Sequence, residues 1–301
     1  MKWRKLGCLF SASGTNPVMA THAANPIAEH IEGDWFRIYY NSRDLANRSS
    51  IGYALVEIGT EIRKPEIAEV PLLEPGELGL FDEDGLSLGA LLRKGDKRYL
   101  YYVGWNLSRS VPWRNSIGLA VGSAHELSLE RYSRVPIMDR HGIDPYSLSY
   151  PFVMQEGDHF KMWYGSNLRW GKTADDMVHV IKCARSEDGI HWERSGQIAV
   201  NLRFPDEWGI SRPCVLKENG VYKMWYCYRG KTYRMGYAES LDGIRFERKD
   251  EEVGIEPSQS GWDSEAVCYP YVFDHKGSRY MLYNGNRYGL TGIGLAILDK
   301  E

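Results

Sequence analysis

The sequence predicts an all-β protein, a five-bladed β-propeller whose last blade is closed by the N-terminal strand. Three observations carry this. An apolar strand, a polar turn with Gly and an aromatic strand recur five times at nearly constant spacing. Each copy continues into a third strand that ends in Ala. The composition, with 20 Tyr, 10 Trp and 31 Gly, suits short repeated strands and turns.

The copies align on an anchor and a tyrosine. Pro213 stands before the Lys-Met-Trp-Tyr run ending at Tyr226, and the same interval separates Pro151 from Tyr164, Pro270 from Tyr283 and Gly89 from Tyr102. In the first copy, Pro26 to Tyr40 is one longer. The third strands end at Ala54, Ala120, Ala184, Ala238 and Ala296. After two of them come near-identical turns, Ser186-Glu-Asp-Gly-Ile-His-Trp192 and Ser240-Leu-Asp-Gly-Ile-Arg-Phe246, whose Asp-Gly pairs signal tight hairpins. Four-stranded meanders at this period read as propeller blades. The fifth copy runs only to its third strand, so Trp3 to Phe10 is expected to supply the fourth and close the ring as one domain over residues 1–301.

Composition narrows the function. A net charge of −3 argues against a nucleic-acid partner held by bulk electrostatics. No apolar run reaches membrane-spanning length, so no membrane partner is expected. No apolar stretch precedes Cys8, so no signal peptide is expected, and the five cysteines show no paired spacing. Reduced thiols in a cytoplasmic protein are the reading. Walker, dinucleotide-binding and zinc-spaced motifs are lacking, and no cofactor or metal is expected. The oligomeric state stays open.

In a four-stranded meander the start of the first strand and the turn between the second and third share one face. That face holds His22 and Asn25, the acids Asp82, Glu83, Asp84, Asp263 and Glu265, and Tyr150 and Arg212 at strand starts. Its turns hold Arg43, Asn106, Arg109, Trp170, Arg229 and Asn286. Asp82, Asp144, Asp206 and Asp263 share one register, which favours turn capping, above all for Asp144 and Asp206. Asp82 and Asp263 also lie beside non-repeated acids, and Glu265 does not recur in blades one, three and four. The catalytic candidates are therefore Asp82, Glu83, Asp84, Asp263 and Glu265. The substrate-binding candidates are His22, Asn25, Arg43, Asn106, Arg109, Tyr150, Trp170, Arg212, Arg229 and Asn286. The arginines favour an anionic ligand, since a guanidinium pairs with carboxylate or phosphate. About half of the arginines on this face are expected to pair with neighbouring acids instead.

The repeats, the Ser-x-Asp-Gly turns and Gly261-Trp-Asp-Ser-Glu-Ala-Val-Cys-Tyr-Pro270 resemble the five-bladed propellers of glycoside hydrolase families 43 and 32 and the family 130 phosphorylases. The sequence looks closest to uncharacterised members linked to bacterial polysaccharide synthesis. The resemblance implies a glycosidase-like protein that cleaves or transfers a glycosyl group of an anionic or phosphorylated glycan, with a carbohydrate or sugar phosphate as ligand. Family 43 enzymes carry an Asp base at an Asp-Pro start of blade one, where this protein has Asn25-Pro26, and Ser211-Arg212-Pro213 offers no counterpart of their acid. Either blades two and five supply a relocated carboxyl pair, or the protein is a phosphate-dependent phosphorylase or a non-catalytic carbohydrate-binding propeller.

Overall fold

The computed structural model describes residues 1–59, 63, 65–173 and 176–300. After strand β1 (Trp3–Phe10), the polypeptide runs through antiparallel meanders. The first is β2 (Thr21–Glu32), β3 (Trp35–Arg43), β4 (Ser49–Glu57) and β5 (Glu66–Ile67). The second is β6 (Gly85–Lys94), β7 (Lys97–Leu107), β8 (Trp113–Ser123) and β9 (Glu130–Arg131). The third is β10 (Leu148–Glu156), β11 (His159–Trp170), β12 (Met177–Ser186) and β13 (Glu193–Val200). The fourth is β14 (Gly209–Glu218), β15 (Val221–Arg229), β16 (Tyr233–Ser240) and β17 (Glu247–Arg248). The fifth has β18 (Cys268–His275), β19 (Ser278–Asn284) and β20 (Ile293–Leu298), with β1 as its outer strand. Helix is confined, among the described residues, to α1 (Asn286–Gly289) and a 3-10 turn at Asp250–Glu252.

Strand β1 pairs antiparallel with β20, from Trp3 opposite Leu298 to Phe10 opposite Ile293, as the missing-strand argument expects. Apolar cores lie between successive meanders. Ile27, Tyr39 and Ile51 of the first meet Leu86, Leu88 and Leu100 of the second. Tyr101 and Ile117 then meet Leu148 and Met162. Trp163 and Ile181 meet Ile210 and Met224. Trp225 and Tyr237 meet Val272 and Met281. Leu282 and Leu295 of the fifth return to Phe36 and Ile38 of the first, so the packing runs in a circle. This is a propeller-type arrangement in which each face of each sheet is buried against a neighbour.

The anchored tyrosines explain one repeated acid. The Tyr102 hydroxyl donates to Asp82 (3.1 Å), Tyr164 to Asp144 (2.9 Å) and Tyr283 to Asp263 (3.1 Å). Each carboxylate also holds a cation from its own blade's outer strands: Arg131 for Asp82, Lys182 and Arg194 for Asp144, and Lys5 for Asp263. Each unit ties the second strand to the third or fourth. The expectation for Asp206 is corrected: Asp206 is exposed, and Tyr226 bonds Asp250 instead, which pairs with Arg248. Glu207 beside it accepts two bonds from the same Arg248.

The two Ser-x-Asp-Gly turns form tight hairpins, as expected. Asp188 accepts from the backbone N–H of Ile190 and His191, and Asp242 from Ile244 and Arg245. The hairpins dock on the preceding blade through Tyr101 to the Gly189 carbonyl and Trp163 to the Gly243 carbonyl.

Deleting residues 1–10 exposes the hydrogen-bonding edge of β20, uncovers Val267 and Ala296, and leaves Asp263 without Lys5. The expected result is aggregation or a large fall in melting temperature; a soluble truncation that melts like the full-length protein refutes the pairing.

Acid should unfold the protein in a defined window. Burial opposes the charged form of Glu156, but hydrogen bonds from Lys161, Lys217 and Tyr222 outweigh it and bring its pKa from 4.5 to about 2. Asp144 and Asp263 are likewise desolvated yet lowered by their cations and tyrosines. A lowered folded pKa gives stability that is complete above the unfolded value and is lost as pH falls. Denaturant unfolding should therefore show stability falling from about pH 6.5, where His22 and His179 take up protons only when unfolded until about pH 4, and falling further from about 4.5 toward about 2 as the carboxylates protonate. Stability unchanged across that window contradicts the assignment.

Candidate functional site

Four of the five inner strands carry the same backbone irregularity. Asn25, Tyr150, Arg212 and Tyr269 each precede a proline and sit at positive φ, at 54°, 39°, 57° and 56°. The antiparallel ladder slips at each of these points. A left-handed non-glycine residue costs of order 1–3 kcal/mol and persists only where its surroundings fix it. The slip turns these side chains toward the axis. Asn25, Tyr150 and Tyr269 line a narrow cavity of about 40 Å³, with His22, Asn41, Arg43 and Tyr288 around them.

The Arg212 side chain is buried and spans the inner strands. It donates to the carbonyls of Gly89 on β6 (2.5 Å) and Pro26 on β2 (3.1 Å). Its Nε has no partner, and no carboxylate pairs with it among the described residues. Burial lowers its pKa. Asn25 donates through Nδ2 to Asn41 Oδ1 (3.1 Å), while its own Oδ1 is buried and unpartnered. At the rim, the Arg229 guanidinium stacks on Trp208 at 4.4 Å and Tyr233 at 4.9 Å and bonds the Tyr288 hydroxyl. Tyr150, Tyr269, Tyr233 and Tyr288 form a series of ring contacts 5.4–5.6 Å apart.

Electrostatically the cavity is positive. Burial first, then Arg43, lowers the His22 pKa to about 4, so its imidazole is neutral at pH 7. Burial raises Tyr150, Tyr233 and Tyr269, which stay protonated and act as donors rather than as phenolate nucleophiles. Among the described residues, no Asp or Glu lines the cavity. The described residues contain no cluster of three or more His, Cys, Asp or Glu that could hold a metal.

The uncharacterized protein MT1551 of Mycobacterium tuberculosis (strain CDC 1551 / Oshkosh) is 47% identical over 300 residues, covering 100% of both proteins. The protein belongs to the same family as MT1551. No known family profile matches it. Among solved structures, that of BT0996 in an RGII complex superposes with a TM-score of 0.79 at 18% identity, covering 98% of this protein and 91% of the other. A thermostable family-43 glycoside hydrolase gives 0.70 at 16% identity, covering 95% and 93%. The protein thus shares the fold of these structures.

Measured against this geometry, the sequence candidates divide. His22, Asn25, Arg43 and Tyr150 meet at the cavity, with Arg212 bonded to the Pro26 carbonyl and Arg229 at the rim. Asp82 and Asp263 do not line it: both are buried, and each is bonded by a tyrosine and a cation. Glu83 accepts from the Gly79 N–H and Asp84 from the Leu107 N–H, each ordering a loop. Glu265 is exposed, 4.0 Å from Arg287, and does not line the cavity. Asn286 is buried and holds the Glu265 and Ala266 N–H groups, so it shapes a loop rather than offering itself to a ligand. Asn106 lies at the end of β7, away from the cavity. Arg109 and Trp170 line a separate hollow. Arg48 pairs with Asp44, one of the arginines expected to take an acid. Tyr288 and Asn41 are site residues that the repeat analysis did not select.

Replacing Arg212 by Met removes the donors to the Gly89 and Pro26 carbonyls and leaves them buried. A loss of about 2–4 kcal/mol in denaturant unfolding is expected; a variant as stable as the parent shows that these bonds do not hold the axis.

Proposed function

We propose that this protein is a glycosidase-like carbohydrate-binding propeller of five blades, one domain over residues 1–301, whose central site grips an anionic group on a glycan or sugar phosphate. The carrying observation is the cavity itself: Arg43, a neutral His22 and protonated tyrosines around an unpartnered Asn25 acceptor, over a buried Arg212, with no carboxylate among the described lining residues. Its volume of about 40 Å³ is a few times the roughly 10–15 Å³ that one water needs, enough for a small anionic group. The sugar would rest at the mouth, with its anionic substituent inside.

Two-carboxyl glycoside cleavage has little support at this centre, since it needs an acid and a second carboxylate flanking the bond. BT0996, which shares the fold, is seen in a complex with RGII, and this supports a carbohydrate ligand. The unpaired state of all five cysteines fits the cytoplasmic setting that belongs to the same proposal.

Calorimetric titration with glucuronic acid, galacturonic acid, sialic acid, glucose 6-phosphate and neutral hexoses tests the reading. An anionic sugar should bind about 10-fold or more tightly than its neutral counterpart, and Arg43→Ala should remove that preference. Turnover of aryl glycosides, with or without phosphate, that Glu265→Gln abolishes would overturn it in favour of an enzyme working at the rim.

A further inference from the structure

A second hollow opens on the same face, between the β7–β8 turn and the β11–β12 turn. It measures about 250 Å³, near the lower end of the roughly 300–1,000 Å³ usual for ligand pockets and far larger than the central cavity. Trp170 forms one wall, fixed by an edge contact with Trp113 at 5.5 Å and 78°. Arg109 and Lys172 stand at the lining, and among the described residues no acid does. Asp176 of the same loop is engaged by Arg169 (2.8 Å) and by the Lys172 N–H (3.1 Å). On β8, Asn115 shares a strand face with Trp113, and its Oδ1 is buried without a partner.

An indole held edge-on by a second indole presents a rigid apolar face with little entropy left to lose. The C–H face of a pyranose is the matching surface. Two cations beside it select a ring that carries negative charge. We propose that this hollow is a second glycan subsite, taking an anionic sugar unit of the same oligosaccharide whose neighbouring unit occupies the central cavity. The ligand class is then an anionic oligosaccharide rather than a monosaccharide. This rests on the anion-binding reading of the central cavity.

The test is calorimetry with galacturonic acid and oligogalacturonides of increasing length, neutral galacto-oligosaccharides, and phosphorylated mannan oligomers. The parent protein should bind an anionic oligomer about 10-fold or more tightly than the monomer. Trp170→Ala should bring the oligomer back to monomer affinity and leave the monomer unchanged. Trp170→Phe should keep part of the gain, which separates a lost ring from a lost fold. Arg109→Ala with Lys172→Ala should cancel the advantage of charged over neutral oligomers. Comparing the oligogalacturonide and phosphorylated series tells carboxylate from phosphate. Monomer binding without any length gain, or a gain that survives Trp170→Ala, overturns the subsite alone. Failure of monomer and oligomer alike overturns both readings. Oligomers that still quench tryptophan fluorescence in an Arg43→Ala protein blind to monomer support the second site independently.

Discussion

The fold depends on satisfying backbone groups at its centre. Each inner strand has one edge paired within its meander, and the other faces the axis or the next blade. Where the ladder slips, further N–H and C=O groups are released into a buried place, where an unmade hydrogen bond is costly. Side chains from the preceding blade make these bonds. Asn41 of the first meander takes the Leu88 N–H and donates to the Leu86 carbonyl of the second. His179 of the third bonds the Ile210 carbonyl of the fourth, and Gly209 beside it has no room for a Cβ, which would lie 2.5 Å from Nε2. Cys227 and Cys214 of the fourth accept from the Tyr269 and Val272 N–H groups of the fifth. Asn284 of the fifth returns to the Asn25 N–H of the first. Arg212 then crosses between strands to the carbonyls that remain.

The same constraint produces the site. A residue turned out of the ladder cannot pack in the inter-blade core and must project toward the axis. Four blades do this with Asn, Tyr, Arg and Tyr, and the result is a polar, donor-rich centre. The strain at these positions is offset by the cross-blade bonds and the inter-blade cores. Structure and binding chemistry are therefore not separable here: Asn25 and Arg212 close the ring and also set the charge of the cavity.

Much of this was legible in the sequence, because a repeat exposes what recurs. The strands, the pairing of Trp3 to Phe10 with the last strand and the tight hairpins followed from spacing. Spacing failed where partners come from outside the repeat. Asp206 has the right register, but Tyr226 takes Asp250 from the 3-10 turn, and Arg248 pairs with both Asp250 and Glu207. The register rule marked Asp144 as structural and left Asp82 and Asp263 as catalytic candidates, although all three make the same tyrosine bond. Tyr288 escaped because it lies in the non-repeated turn after β19, at φ 60°. Asn41 was hidden within the apolar run of β3, where a polar residue reads as an interruption.

The exchange of Asp for Asn that the family 43 resemblance implies at position 25 is not an isolated loss. Asn41 Oδ1 accepts from both Asn25 Nδ2 and the Leu88 N–H, so it presents an acceptor to position 25. An ionised carboxylate there would set two acceptors against each other in a buried place and lose the donor that joins the blades. Asparagine is the residue that this network accepts. Its neutrality also leaves Arg43 and Arg212 without a negative counterpart from position 25, while the surrounding tyrosines keep their protons. A centre built in this way holds Arg43 and a buried Arg212 beside a series of tyrosine rings, with no Asp or Glu among the described residues that line it.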